Sequence, residues 1–506
     1  MLFNRKPKKT ERAQCLIEQY EKAAQTDAQK RYYYYPLLFS ALNYDPTPGH
    51  IRFIGETTKT LIAGKDAYFA ANLMRSYQTE NVDTEPETWK QYCTPEGYRA
   101  LLICGSAHPN GYFREKCLKQ LAGQPEVLQY ILLRMNDWVP AIRRTAWVLL
   151  KEQLMHNASC TEIIQAMPFV EYVRRGQRAQ RNADFSIDML DEILRRIFAE
   201  NENAVLQSPV SLRRLCFRVF LLHPESANLD LILYFIRNEP DNAQRNALVQ
   251  FYLNNTAEPV SGELLDSFMQ DPYWRVRLNS YEYRMKIEGK WDGREKLLLS
   301  PCYPIREFAA YYLEKNGFDN LRFCRAHLPE TLLALSDLGT KADTALIRPY
   351  LETNPREALI ALVRLGDDDS KSLVWAAMHD KNAKLAKTAY RLALTHKLYR
   401  SSELSPSIKE ETDPQRRWRL IRLLGQNVGN DLLPILIRMT RDYAHVRGDI
   451  LALIQFMCGY PRHGHYGVFV TQTLHDEITE ALHYVDGYIP ELLNHHIFSS
   501  MKILES

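Results

Sequence analysis

Apolar residues recur along most of this chain at the three-to-four-residue spacing of helices that pack on one side. "CLIEQYEKAAQ" (Cys15–Gln25) and "AYFAANLMRSY" (Ala67–Tyr77) show it near the start. "TQTLHDEITEALHYV" (Thr471–Val485) shows it near the end, with Leu474, Ile478, Leu482 and Val485 on one face. "YDPTPGH" and "ENVDTEPETW" interrupt the pattern with turn-forming residues and read as loops. No apolar run approaches the ~18 residues of a membrane span. "ILALIQFMCGY" (Ile450–Tyr460) is the kind of run that fits a buried helix instead.

A second, longer period is superimposed on the first. In "DPYWRVRLNS" (Asp271–Ser280) an arginine follows an apolar residue six positions after a turn residue. The same arrangement recurs in "HPNGYFREKC", "DWVPAIRRTA", "QSPVSLRRLC", "EPDNAQRNAL", "SPCYPIREFA", "DPQRRWRLIR" and "RDYAHVRGDI". "DKNAKLAKTA" keeps the pattern with Ala386 in place of the arginine. Several neighbouring arginines are about 28 to 33 residues apart, room for two antiparallel helices and their turns, and the interval from Arg143 to Arg213 fits two such periods. Each column has a physical reason. The first residue is often Asp or Ser, able to cap the coming helix. Proline follows at Pro109, Pro240, Pro272, Pro301 and Pro414, where a missing N–H costs little. Three residues past the arginine stands a small side chain (Cys117, Ala146, Cys216, Ser280, Ala309), which lets helices approach closely.

This pattern resembles the HEAT-repeat family, whose units carry D-x-x-x-x-V/I-R-x-x-A at the start of their second helix. The resemblance implies an all-α solenoid of stacked antiparallel helix pairs, a HEAT-like superhelix with helical caps. It implies a ladder between adjacent units built from the turn acid and the arginine, matched here by Asp137 with Arg143, Asp271 with Arg277, Asp413 with Arg419, and Glu239 with Arg245. His108, Gln207 and Ser300 replace the acid in other copies, so the ladder is expected to be interrupted. The expected organisation is an N-terminal helical cap over 1–100, the array over 101–455, and capping helices with a His-rich loop over 456–506.

The chain of 506 residues is too long for one core and suits such an array. Its net charge of +3 gives no global argument for nucleic acid or membrane, so only local patches carry one. Nine scattered cysteines without a CxxC pair suggest free thiols in a reducing compartment, and with no apolar segment behind the basic N-terminus a cytoplasmic location is the expectation. "YYYYP" (Tyr32–Pro36) points tyrosines all round a helix, so some are expected to be buried and some exposed. Arg174, Arg175, Arg178 and Arg181 form a basic run that either meets phosphates or pairs with Asp184, Asp188 and Asp191 just after it. Six of the fourteen histidines lie after Arg447 (His463, His465, His475, His483, His495, His496), and Cys458 stands near two of them. Their spacing matches no zinc motif, so no metal or cofactor is expected.

No GxSxG, P-loop, GxGxxG or HExxH is present, nor any His-Glu dipeptide of the HEAT-type di-iron hydroxylases. HEAT-like alkylpurine DNA glycosylases use a concave basic face with tryptophans and a carboxylate. Of Trp138, Trp274 and Trp418, the last occupies the inward column and the first a turn, leaving Trp274 beside Arg275 as the available one. The leading expectation is a non-enzymatic scaffold binding a protein or extended peptide. Its candidate contact residues are Tyr273, Trp274, Arg275, Arg144, Arg214, Arg174, Arg175 and Arg178. The row just after each arginine (Glu115, Arg144, Arg214, Asn246, Leu278, Glu307) mixes signs and favours a protein partner. A nucleic-acid-binding solenoid using Arg144, Arg174, Arg175, Arg178, Arg213 and Arg214 is the alternative, and a glycosylase comes after it.

Overall fold

The computed structural model describes residues 9–26, 29–74, 84–226, 228–425, 427–459 and 468–503. His463 and His465 therefore lie outside the described residues, as do Arg75–Tyr77 and the first part of the loop expected over 80–89. The chain is all-helical, 74% helix against 1% strand, with its helices packed in neighbouring pairs. No helix among the described residues is long and apolar enough to cross a membrane.

Two compact units divide the chain between Gly289 and Lys290. That boundary falls inside the span expected to be one array over 101–455. Gly289 ends its helix with a positive φ of 67° and Gly293 follows with 80°, so the connection is built from backbone conformations that favour glycine.

The first unit begins with α1 (Lys9–Thr26), α2 (Lys30–Ser40), α3 (Pro48–Ile62), α4 (Ala67–Leu73) and α5 (Pro95–Gly105). It continues with α6 (Gly111–Gln120), α7 (Leu128–Arg134), α8 (Pro140–Glu152), α9 (Cys160–Arg175), α10 (Ile187–Glu200), α11 (Glu202–Gln207) and α12 (Val210–Leu221). α13 (Leu229–Asn238), α14 (Asn242–Asn255), α15 (Gly262–Met269) and α16 (Trp274–Glu288) complete it. α7 packs on α8, α13 on α14 and α15 on α16, while α6 lies beside α8 and α14 beside α16. One continuous apolar cluster runs from Ala13 to Val276, so the segment expected as a separate cap shares a core with the helices after it.

The interval from Arg143 to Arg213 is not two hairpins of the α13–α14 kind. α9 packs on α7 and directly on α12, with α10 and α11 set between them in the chain. The four tyrosines divide as their all-round placement demands. Tyr35 is buried with its hydroxyl 2.9 Å from Thr58 Oγ1, and Tyr33 is exposed.

The second unit holds α17 (Tyr303–Lys315), α18 (Asn320–Ala326), α19 (Leu332–Leu338), α20 (Thr344–Ile347), α21 (Pro355–Leu365), α22 (Ser370–Met378) and α23 (Ala383–Thr395). After these come α24 (Ser401–Glu410), α25 (Pro414–Leu424), α26 (Leu433–Asp442), α27 (Arg447–Met457), α28 (Gln472–Tyr484) and α29 (Glu491–Ser500). Its core is split into three clusters rather than one. In α28, Ile478 and Leu482, with Val485 just past its end, are buried against the C-terminal cluster, and Leu474 is partly buried there. Two three-residue strands, Val468–Val470 and Met501–Ile503, pair in parallel beside this helix; helical periodicity gave no sign of them.

Candidate functional site

The arginine column is the feature from which the first unit's polar geometry is built. Arg114, Arg213 and Arg245 each grip their own turn and the next one at once. Arg245 Nη1 donates to the carbonyls of Glu239 (2.8 Å) and Pro240 (3.4 Å), at the turn that starts its own helix. Its Nε and Nη2 donate to the Asp271 carboxylate of the following turn at 2.7 and 3.1 Å. Arg114 repeats this with the carbonyls of His108 and Pro109 and the carboxylate of Asp137. Arg213 repeats it with the Leu206 and Ser208 carbonyls and Glu239, whose side chain is fully buried. In the second unit Arg306 holds the Ser300 carbonyl and Asp337, which lies in α19 rather than in a turn.

Pairing thus runs from each acid back to the arginine of the preceding hairpin, Arg114 with Asp137 and Arg245 with Asp271. Within a copy the contact is to the backbone. Arg143 Nη1 reaches the Asp137 and Trp138 carbonyls, and Arg277 Nη1 those of Asp271 and Pro272. An acid six residues before the arginine places its carbonyl, not its carboxylate, within reach of the side chain. The acid also does not cap the helix itself. Asp137 and Asp271 accept from the backbone N–H two residues on (Val139 at 3.0 Å, Tyr273 at 2.7 Å), and those residues are the caps. This fixes the turn, as Asp side chains do.

The copy around Trp418 is in a different register from the expected one. Asp413 is the true N-cap of α25, accepting from Gln415 and Arg416. Glu411 accepts from the Asp413 N–H at 2.8 Å, as Glu239 does from Asp241 at 2.7 Å. The acid and arginine positions are therefore Glu411 and Arg417. Arg417 has a buried, unpartnered Nε, whereas Arg419 is exposed and shows no contact with Asp413. Trp418 is only partly buried at the edge of the C-terminal cluster.

The remaining candidates separate by burial. Arg174 is bound at both ends: Nη1 and Nη2 meet Asp191 at 2.8 and 2.6 Å, and Nε meets Glu171 at 3.2 Å. Arg218 joins Glu171 at 2.7 Å and His223 joins Asp191 at 2.8 Å, tying α9, α10 and α12 together. Arg175, Arg178 and Arg181 remain exposed, with no carboxylate partner among the described residues. Arg144 and Arg214 are exposed as well. Glu115 and Asn246, in the same row, reach across to the neighbouring helix, meeting Thr145 and Asn279. Trp274 is half-buried with Arg275 over its ring at 5.2 Å and Tyr273 beside it. Trp138 lies in the turn before α8, as expected, and is 64% exposed there.

Trp138 lines a cavity of about 520 Å³ together with Arg114, Arg134, Asp137, Tyr172 and Arg178. Of the contact candidates only Arg178 reaches it. Arg134 and Trp138 were not among them, and the signal for the place is a turn that carries Arg175, Arg178 and Arg181. A larger cleft of about 870 Å³ lies among α3, α5, α7 and α9, lined by Lys59, Lys65 and Arg99 and by Asp66, Glu96, Glu126 and Glu162.

Chemical activation is not what burial produces here. It pushes the thiols of Cys104 and Cys216 up to about 12 and those of Cys93, Cys324 and Cys458 to about 11, so they stay protonated at neutral pH. Among the described residues one carboxyl is raised, Glu282, through partial desolvation. It borders a depression of about 180 Å³, below the ~300–1,000 Å³ of ligand pockets. Asp188, Asp191 and His223 are the one trio among the described residues with metal-ligand spacing. Arg174 already occupies both oxygens of Asp191, which argues against a cation there. His496 Nε2 lies 2.8 Å from the Cys458 carbonyl oxygen, away from thiolate chemistry. No protein-family model matches the chain, and no curated protein is similar to it.

Proposed function

We propose that the chain is a HEAT-like scaffold that binds a protein partner or extended peptide and carries no catalytic centre of its own. The observation that carries this reading is the use made of its buried ionisable groups. Arg114, Arg213 and Arg245 join successive hairpins through Asp137, Glu239 and Asp271, so the charges that repeat along the chain act as structural ties. Buried ion pairs of this kind set geometry more than they add stability. Raised thiol pKa values supply no nucleophile. The row that includes the exposed Arg144 and Arg214 also holds the partly buried Glu115 and Asn246, a mixed surface suited to a protein.

Nucleic acid is the weaker reading because Arg174 and Arg213, two of the six arginines it needs, are tied to carboxylates. Affinity purification of the intact protein from its own cells, with and without nuclease, separates the readings. A defined protein retained after nuclease, and lost on charge reversal at Arg144 and Arg214, is the expected result. Recovery of nucleic acid alone, with steep salt sensitivity, would replace it with the alternative.

A further inference from the structure

Charge is divided unevenly between the paired helices of the second unit. In α22 and α24, the first helices of their pairs, lysines meet acids: Lys371 pairs with Glu403 and Lys409 with Asp431. Their partners α23 and α25 contain no aspartate or glutamate, yet hold two lysines and five arginines. The whole chain is nearly balanced at +3, so this is a local departure.

Helical geometry gathers these cations on one face. Burial of Leu385, Ala389, Leu392 and Ala393 in α23 leaves Lys384, Lys387 and Arg391 together on its exposed side. In α25 Leu420, Ile421 and Leu424 are buried, while Arg419 and Arg422 stand exposed about one turn apart. α23 packs on α25. Burial raises the pKa of the Tyr390 hydroxyl in α23, and the charges of Arg422 and Arg419 oppose that rise, so both arginines lie beside α23. The exposed face is therefore continuous across the two helices. None of its five cations has a carboxylate partner among the described residues. Arg416, 3.8 Å from Asp413, and Arg417, whose Nε is buried, are not counted with them. On the far side of α23 the charge is balanced again, Arg356 with Glu357 and Arg364 with Asp337.

The chemistry of the face selects its occupant. Protein interfaces centre on aromatic and apolar side chains and are poor in lysine. Here the large apolar side chain exposed among the cations is Leu394, at 42%. Single-stranded nucleic acid needs aromatic platforms for its bases, and Tyr390 and Trp418 are both partly buried. RNA duplexes are held largely through their 2′-hydroxyls, for which the two helices expose Thr395 and Gln415. What remains is a dense row of phosphates, and duplex DNA carries one charge per about 1.7 Å of its axis. Lys384 and Arg391 are about 10 Å apart along α23, and α25 lies about 10 Å to its side, so several phosphates fit at once. We propose that the exposed face of α23 and α25 binds the phosphate backbone of double-stranded DNA, without reading its sequence, through Lys384, Lys387, Arg391, Arg419 and Arg422. This surface is separate from the partner-binding row of the first unit, so either can fail without the other.

The test titrates the intact protein into a labelled DNA duplex of about 20 base pairs and arbitrary sequence, by fluorescence anisotropy, from about 50 to 200 mM salt. Micromolar binding at the lowest salt is expected, with a log–log salt slope of about −4 to −5, as five phosphate contacts give. Lys384→Glu with Arg391→Glu, and separately Arg419→Glu with Arg422→Glu, should each weaken binding about tenfold or more and make the slope shallower by about 2. Neither pair should lower the melting temperature, since all four side chains are exposed. Arg144→Glu with Arg214→Glu, the same charge change in the first unit, should leave DNA binding unchanged. Absence of binding at about 50 mM salt, or binding indifferent to both pairs on α23 and α25, overturns the site. Tighter binding of an RNA duplex of equal length overturns it as well, and tighter binding of polyglutamate would assign the face to an acidic protein segment instead.

Discussion

Arg213 and Glu239 illustrate what a single side chain risks in this architecture. Their side chains are 5% and 0% exposed, so neither charge can turn to water when its partner is removed. Arg213→Ala leaves the Glu239 carboxylate buried and unpaired, and a loss of about 3–5 kcal/mol in denaturant unfolding is expected. Replacing both residues by methionine should restore most of that loss, because desolvation of the ions disappears with them. Asp343 gives a pH-dependent counterpart. Its carboxyl is held below the usual range chiefly by the hydrogen bond from Arg325, with the Thr340 backbone N–H adding to it. A depressed folded-state pKa contributes stability that is complete above the unfolded value near 3.8 and is lost as pH falls through the folded one. Asp343→Asn should therefore lower the melting temperature at pH 7, and the deficit should shrink in acid below the ordinary carboxylate range. A deficit independent of pH would remove the carboxylate from the explanation.

Helices and their turns show which parts of this organisation a sequence can carry. Recurrence of the arginine, the proline and the small residue was legible because each is set by local geometry: helix entry, side-chain reach and close packing. Partner choice was not legible. Asp137 and Arg143 stand in one motif, yet the carboxylate turns back to Arg114, because the intervening turn puts only the Asp137 carbonyl near Arg143. The two-residue slip around Trp418 has a similar cause. Asp413-Pro414 imitates the start of the motif while Glu411 occupies its place. The registers predict opposite outcomes. Arg417→Ala should destabilise the second unit measurably, whereas Arg419→Ala, at an exposed position, should stay within about 0.5 kcal/mol of the parent. Equal effects from the two would return the motif to its expected register.

At the scale of the whole chain, the two units differ in how their cores are joined. One apolar cluster unites residues from Ala13 to Val276, so the first unit gains little from any part of its helices forming alone. Three clusters, around Leu335, Leu359 and Ile437, divide the second unit into smaller bodies of contact. Cooperative unfolding tracks shared burial, and separate clusters open with separate free energies. The exposed stretch from Lys286 to Lys290, which contains the positive-φ Gly289, is the natural point of attack between them. Limited proteolysis of the intact protein is expected to cut first near Gly289–Gly293, leaving an N-terminal fragment that keeps its helical circular dichroism. A chain ending at Gly289 should melt in one sharp transition, and one beginning at Lys290 in a broader one. First cleavage inside the continuous cluster, for instance between α8 and α12, would show that the α9–α12 packing does not bind the first unit into one cooperative body.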